Sequence, residues 1–232
     1  MNNIGRLLMN GHVPRRPGHI IGYSNMSYTM LLVIANVSFF CVYYFSLLFL
    51  DEARLISWIA LMPSIILAGE RLWTFLTSMF MHGGFTHLFV NMMSLVFIGN
   101  FVEKLVGKKR FIWLYLSGGV FASLFFILIA ALTDSDLNVY AVGASGAIFA
   151  LGGLLAVMTP RLPVLVFFVL PMPMWAAMGF LVFALWGLSL GLGLPIGNVA
   201  HLGGLLIGLG YGSYLRWRYP RKTGMIARHF SR

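Results

Sequence analysis

Charge is scarce in this chain. Only 9% of its 232 residues are charged, and six are acidic. A water-soluble domain carries about 25% charged residues, so an ordinary soluble enzyme is excluded. Cysteine is nearly absent too. Cys41 stands alone inside an apolar run, which rules out an intrachain disulfide and a cysteine-based metal site, and it reads as a small buried hydrophobe. No acid lies within an apolar run; Glu103 sits at the edge of one, beside Lys104. That absence removes a membrane aspartyl protease, which needs paired aspartates. It also removes a zinc hydrolase of the HExxH type, which needs a glutamate base. Ion translocation, retinal and haem chemistry lose their usual carboxylates or redox ligands.

What the chain has in quantity is hydrocarbon: 59% apolar residues and a mean hydropathy of +0.88. A spanning helix takes about 20 apolar residues, so the length suits about six spans with short connections. The apolar runs fall at about 28–50, 85–106, 111–132, 145–159, 174–192 and 197–217. The first is too long for a signal-peptide core and lacks a small-residue cleavage site after it. Two further apolar stretches are broken by proline, 56–69 by Pro63 and 162–173 by Pro163, Pro171 and Pro173. Both are expected to lie in the interface or to pack against the bundle. The expected organisation is a short polar tail at 1–24, a membrane domain at 25–217 and a basic tail without apolar periodicity at 218–232. The fold class is an all-α polytopic membrane protein, a six-helix bundle.

The charges predict the orientation. With both tails and the connections after spans two and four on one side, that side holds 14 of the 16 basic residues. The other keeps Arg54 and Arg71 with Asp51, Glu52, Glu70, Asp134 and Asp136. This is the positive-inside pattern: a cell-membrane protein with cytoplasmic termini. The excess of +10 then reflects topology and attraction to anionic lipid, and nucleic acid is not an expected partner.

Polar residues inside a membrane are functional candidates by default. His82, His87, Asn91, Ser145 and His201 all fall within about two turns of the acidic surface, less than ~10 Å deep at 1.5 Å per residue. No metal is expected, because the five-residue step from His82 to His87 does not suit one helix face. A serine–histidine pair remains. A hydroxyl needs a base to take its proton, a neutral imidazole can do so, and the first turn of a helix can stabilise an oxyanion. His87 and Asn91, four apart, share a face and both can donate hydrogen bonds. Gly204 and Gly208 form a GxxxG face that invites close approach to a span carrying Gly146, Gly152 and Gly153. Plainer readings stand beside these: a small-residue packing face at Gly143–Gly146, an N-cap at Ser145, and a polar pair at His87 and Asn91 that holds helices together.

These residues resemble the rhomboid family of intramembrane serine proteases. The match consists of HxxxxHxxxN at His82, His87 and Asn91, GxSG at Gly143 to Gly146, and AHxxGxxxG from Ala200 to Gly208, in family order on spans two, four and six. The resemblance implies a six-helix rhomboid-like bundle with Ser145 as nucleophile and His201 as general base, without an acid. It implies an oxyanion hole of His87, Asn91 and the Ser145 N–H. It gives supporting roles to His82, Gly143 and Gly204, and to Phe149, which stands where the family often has a tyrosine stacked on the histidine. Stretch 56–69 matches the family's first loop, and the fifth span matches its mobile side. Trp73 begins the family's Trp-Arg pair, but Thr74 replaces the arginine and Arg71 is displaced. The implied activity is cleavage of membrane-spanning segments of other proteins, with membrane lipids around the enzyme and no cofactor; oligomeric state stays open. The alternatives are a non-catalytic relative that binds spanning helices, or a small-solute transporter.

Overall fold

The computed structural model describes residues 26–167, 169–192 and 197–230; the expected tail at 1–24 lies outside them. The first span, α1 (Tyr28–Ser46), starts at Ser27, whose Oγ accepts from the Met30 N–H at 3.1 Å. A carboxylate seals the same end. Buried Glu103 accepts from the Tyr28 N–H at 2.9 Å, the Thr29 N–H at 2.8 Å and the Thr29 hydroxyl at 2.8 Å. The first N–H groups of a helix have no partner of their own, and a carboxylate there also meets the positive end of the dipole. Glu103 thereby ties the foot of the second span to the start of the first. The helix ends at Ser46, four residues short of the apolar run. Cys41, expected to be buried, is exposed on its outer face, where lipid rather than protein covers an apolar side chain.

Between the first two spans lie α2 (Glu52–Ile59), α3 (Pro63–Leu67) and α4 (Thr74–Thr77). They form a folded loop closed by aromatic rings. Trp58 and Trp73 stack with centroids 5.5 Å apart, and the Trp73 Nε1–H donates to Trp58 O at 2.9 Å. Arg71 lies 5.4 Å over the Trp58 ring and donates from Nη1 to Ser57 O at 2.7 Å. The displaced arginine thus also fastens the loop at this tryptophan. Thr74 is buried and donates to Arg71 O at 2.8 Å.

The second span is α5 (Phe85–Ser94), a π-helical turn at Leu95–Gly99, and α6 (Asn100–Val106). A regular helix drifts about 40° for every four residues; the wider turn lets buried Asn91 and buried Glu103 both face inward. Gly99 in that turn packs against Thr29, where a Cβ would come within 2.9 Å of Cγ2. Gly107, at φ 86°, breaks the helix before α7 (Lys108–Thr133).

α8 (Ser145–Met158) is the hub, with nearly every residue buried. Its 14 residues span about 21 Å, whereas α7 spans about 39 Å. The chain makes up the difference by running inward as extended backbone. Leu61 and Ala141 pair in both directions at 3.1 and 2.8 Å, and the Gly143 N–H donates to Ser78 O at 2.8 Å. Ser145 therefore starts below the surface of the bundle. The proline-rich stretch after α8 folds as a hairpin of β1 (Pro163–Val166) and β2 (Leu170–Pro173), with Pro163 opposite Pro173. Its base closes where the Met174 N–H reaches Leu162 O at 2.9 Å. α9 (Met174–Leu192), α10 (Asn198–Arg218) and α11 (Pro220–His229) follow. α11 occupies the region expected to be a tail. It buries Thr223, packs Ile226 on the core and sets Phe230 edge-on to Phe101 at 5.2 Å.

The chain is an all-α polytopic membrane protein. Among the described residues four helices are long and apolar enough to cross a bilayer: Tyr28–Ser46, Phe85–Val106, Lys108–Thr133 and Met174–Leu192. α8 is shorter but apolar and enclosed. α10 has 21 residues and ends in Arg216 and Arg218. Loss of the Glu103 cap is expected to cost about 2–3 kcal/mol in Glu103→Ala, with Glu103→Gln losing less. Equilibrium unfolding in mixed detergent measures it, and an unchanged midpoint would show that α1 docks without this carboxylate.

Candidate active site

Three helices meet at Ser145. Ser145 is the first residue of α8, after Ala144, which offers no side-chain cap. The hydroxyl is therefore not spent as an N-cap on its own helix. It lies 2.7 Å from Nε2 of His201 in the second turn of α10. The phenyl ring of Phe149, one turn further along α8, lies flat on the imidazole, with centroids 4.6 Å apart and planes 9° apart. His201 is buried and its Nδ1 has no hydrogen-bond partner. The ring is held by its stacked face and by the serine, with no acid behind it.

Glycine makes the approach possible. A Cβ on Gly204 would land on the Gly146 carbonyl oxygen, and one on Gly208 on the Ala150 carbonyl oxygen. Gly153 faces the Leu205 carbonyl in the same seam. Backbone cannot give way as a flexible side chain can, so a larger residue at these positions must push the helices apart. Gly152, expected in this seam, faces Met178 of α9 instead, where a Cβ would come within 2.6 Å of its sulfur.

On the other side of Ser145 stands His87. Gly143 has φ 114°, in the left-handed region. A Cβ there would come within 2.8 Å of the His87 ring and 3.9 Å of Ser145 Oγ. His87 and Ser145 thus flank one small gap that only glycine keeps open. Asn91 is buried and its Nδ2 donates back to His87 O at 2.9 Å. His82 lies behind, its ring 5.1 Å from that of His87. Burial, and next to it His87, push the His82 imidazole down to about 4. It is neutral at physiological pH, with Nδ1 3.2 Å from Phe80 O, the arrangement of a ring N–H donating to a carbonyl.

The residues singled out by sequence fall into one cluster: His201, Ser145, Phe149, Gly204, Gly143, His87, with Asn91 and His82 on its far side. Two neighbours carry no sequence signal. Ser78 contributes only its backbone carbonyl, which anchors Gly143. Asn198 is buried one turn before His201 with its Oδ1 unpartnered, and at the start of a helix an asparagine reads simply as a cap. Of the other histidines, His229 is exposed on α11, while His12 and His19 lie outside the described residues. Among the described residues no group of three metal-ligating side chains converges. The arrangement can do acid–base and nucleophilic chemistry: a hydroxyl paired with a base, beside two further polar side chains and the uncapped start of a helix.

A family model described as the Rhomboid domain matches residues 69–218. RHOMBOID-like protein 5 of Arabidopsis thaliana is 36% identical over 162 residues, 69% of this chain and 50% of that protein. The putative rhomboid protease YdcA of Bacillus subtilis is 37% identical over 81 residues, 35% of this chain and 38% of that protein. Inactive RHOMBOID-like protein 8 of Arabidopsis thaliana is 33% identical over 98 residues, 42% of this chain and 25% of that protein. The chain thus spans half or less of the length of these curated relatives.

The seam sets the serine–histidine distance, so Gly204→Ala is expected to lose about 1–3 kcal/mol of stability. Gly187→Ala, at a glycine with nothing within 4 Å, serves as the neutral comparison. Unfolding midpoints of the two variants measure this; equal midpoints would mean that α8 and α10 do not depend on backbone contact.

Proposed function

The chain belongs to the rhomboid family, and from that premise we propose that it is an intramembrane serine endopeptidase acting through a Ser145–His201 dyad. The observation that supports this most directly is the 2.7 Å contact between Ser145 Oγ and His201 Nε2, made across 56 residues of sequence inside a membrane domain. A base at hydrogen-bond distance from a hydroxyl is what nucleophilic catalysis requires.

The chemistry follows from the atoms. His201 Nε2 takes the hydroxyl proton as Ser145 Oγ attacks the scissile carbonyl of a substrate's membrane segment. The tetrahedral oxyanion is held by the Ser145 N–H, with His87 and Asn91 on the side of the Gly143 gap. The imidazolium returns its proton to the leaving amine, and an acyl-enzyme remains on Ser145. Water, deprotonated by the same imidazole, attacks the acyl carbonyl; the imidazolium hands that proton to Ser145 Oγ as the new carboxylate leaves. Phe149 keeps the ring in plane through both proton transfers. His82 supports His87 from behind. No cofactor enters the scheme.

Residues 25–217 form the catalytic domain, preceded by the tail at 1–24 and followed by α11, which packs back on it. The charge distribution supports a cell-membrane location with both termini cytoplasmic and Ser145 opening toward the opposite face. Substrates are proteins with membrane-spanning segments. The second reading is a non-catalytic relative that binds such helices, and a relative named as inactive favours keeping it in view. A labelled nucleophile separates the two.

Purified protein is expected to take up a fluorophosphonate at Ser145, and Ser145→Ala to lose both labelling and cleavage by a factor of about 10⁴ or more at an unchanged unfolding midpoint. Labelling that persists in the variant would place the nucleophile elsewhere. Cleavage should also fall on acidification, because only the neutral His201 can accept the hydroxyl proton. The expected decline approaches about tenfold per pH unit on the acidic limb, and a rate that stays flat from neutral to acid pH would remove His201 as the base.

A further inference from the structure

The mechanism leaves unexplained a cationic cluster at the end of the bundle remote from Ser145. Two guanidinium groups share one aromatic ring there. Arg110, at the start of α7, lies 5.7 Å from the centre of the Tyr219 ring, and Arg218, at the end of α10, lies 5.4 Å from it. Arg221 and Lys222 follow directly and line a hollow of about 260 Å³ with Tyr219 and Pro220. All four cations are exposed. The ring stays in place because Tyr219 is built into the joint between α10 and α11. Its N–H donates to Leu215 O at 2.9 Å, and its carbonyl accepts from the Thr223 N–H at 3.0 Å and the Thr223 hydroxyl at 3.0 Å.

No carboxylate balances this cluster. Of the six acids, five lie in the connections after the first and third spans, and the sixth, Glu103, has both oxygens committed to the start of α1. Two guanidinium groups on one ring, with two more cations beside it, repel one another unless an anion sits among them. The height of the cluster identifies the anion. Tyr214 and Trp217 on α10 and Trp113 on α7 are strongly exposed within one turn of it, and exposed aromatic rings of this kind mark the headgroup level of a bilayer. α11 continues from Tyr219 with Thr223 and Ile226 turned to the protein and Arg221 and Lys222 exposed.

We propose that Arg110, Arg218, Arg221 and Lys222, arranged around Tyr219, form a headgroup site for an anionic phospholipid in the leaflet on the basic side of the protein. The phosphate diester lies among the guanidinium and ammonium groups. Its acyl chains run down the outer face of α7 and α10. Guanidinium suits a phosphate because its planar fork meets two oxygens at once. The site is independent of the protease reading, since none of its residues takes part in the Ser145 chemistry.

The test uses the full-length protein in nanodiscs of phosphatidylcholine with and without phosphatidylglycerol, followed by native mass spectrometry of retained lipid. Wild type is expected to keep one phosphatidylglycerol in preference to phosphatidylcholine. Arg110→Gln with Arg218→Gln should lower that preference about thirtyfold, at roughly 1 kcal/mol for each of the two surface cations removed. Lys104→Gln with Arg161→Gln, which removes two exposed cations elsewhere on the same side, should leave it intact. Should the first pair fail to fold, Arg221→Gln with Lys222→Gln, on exposed positions, carries the same test. Equal retention of both lipids by wild type overturns the site. So does an equal loss in the Lys104 and Arg161 pair, which would mean diffuse charge alone. Displacement of the lipid by millimolar inorganic phosphate overturns the assignment to a lipid and makes this a site for a soluble anion.

Discussion

The seam where Gly204 and Gly208 of α10 lie against the carbonyls of Gly146 and Ala150 carries the architecture of the site. Without a Cβ at either position the two helices touch backbone to backbone, and that contact is what lets His201 reach Ser145 at 2.7 Å. Membrane helices gain little from the hydrophobic effect when they associate, because lipid tails are as apolar as leucine. Close backbone packing therefore has to supply both the affinity and the geometry. Phe149 then fixes the imidazole in rotation, and Gly143 keeps His87 and Ser145 on opposite sides of one gap. Each of these contacts is meaningful only at the spacing the seam sets.

The second constraint is length. α8 is too short to cross a bilayer alone, at about 21 Å against a hydrocarbon core of about 30 Å. Enclosure by α7, α9 and α10 removes the need, and the extended segment that pairs Ala141 with Leu61 brings the chain down to its start. A buried polar backbone in such a place must find partners. The Gly143 N–H and the Leu61–Ala141 pair find theirs in the loop between the first two spans. That loop, clamped by Trp58, Trp73 and Arg71, is thus a wall of the site as well as a connection. The cluster stays at one end of the bundle, while Glu103 and the Tyr219 cations organise the other.

Much of this was legible in the sequence, and the limits have physical causes. Charge scarcity identified the solvent, and the lack of an acid within any apolar run left serine and histidine as the chemistry. The GxxxG spacing located the seam because close packing needs small residues one turn apart. Features set by distant partners left no local trace. Glu103 reads as a helix-edge charge, and only the fold reveals that Tyr28 and Thr29 stand opposite it. The π-helical turn after Asn91 has no composition of its own. Stretch 162–173 announces its prolines but not their pairing across a hairpin. In α11 and at its C-cap the positions Thr223, Ile226 and Phe230 do recur every three to four residues, but a strongly basic surround hides so weak an apolar stripe. Gly152 shows the opposite failure, since a small residue on α8 can serve either neighbour, and here it makes room for Met178.

The most direct measurement is covalent capture by a peptidyl chloromethyl ketone, which reacts with a hydroxyl through its carbonyl and with an imidazole through its methylene. Digestion and mass spectrometry of the treated protein should recover one species in which the inhibitor joins the Ser145 peptide of α8 to the His201 peptide of α10. Recovery of adducts on unrelated residues, or of single attachments that never bridge the two helices, would contradict a working pair at this seam.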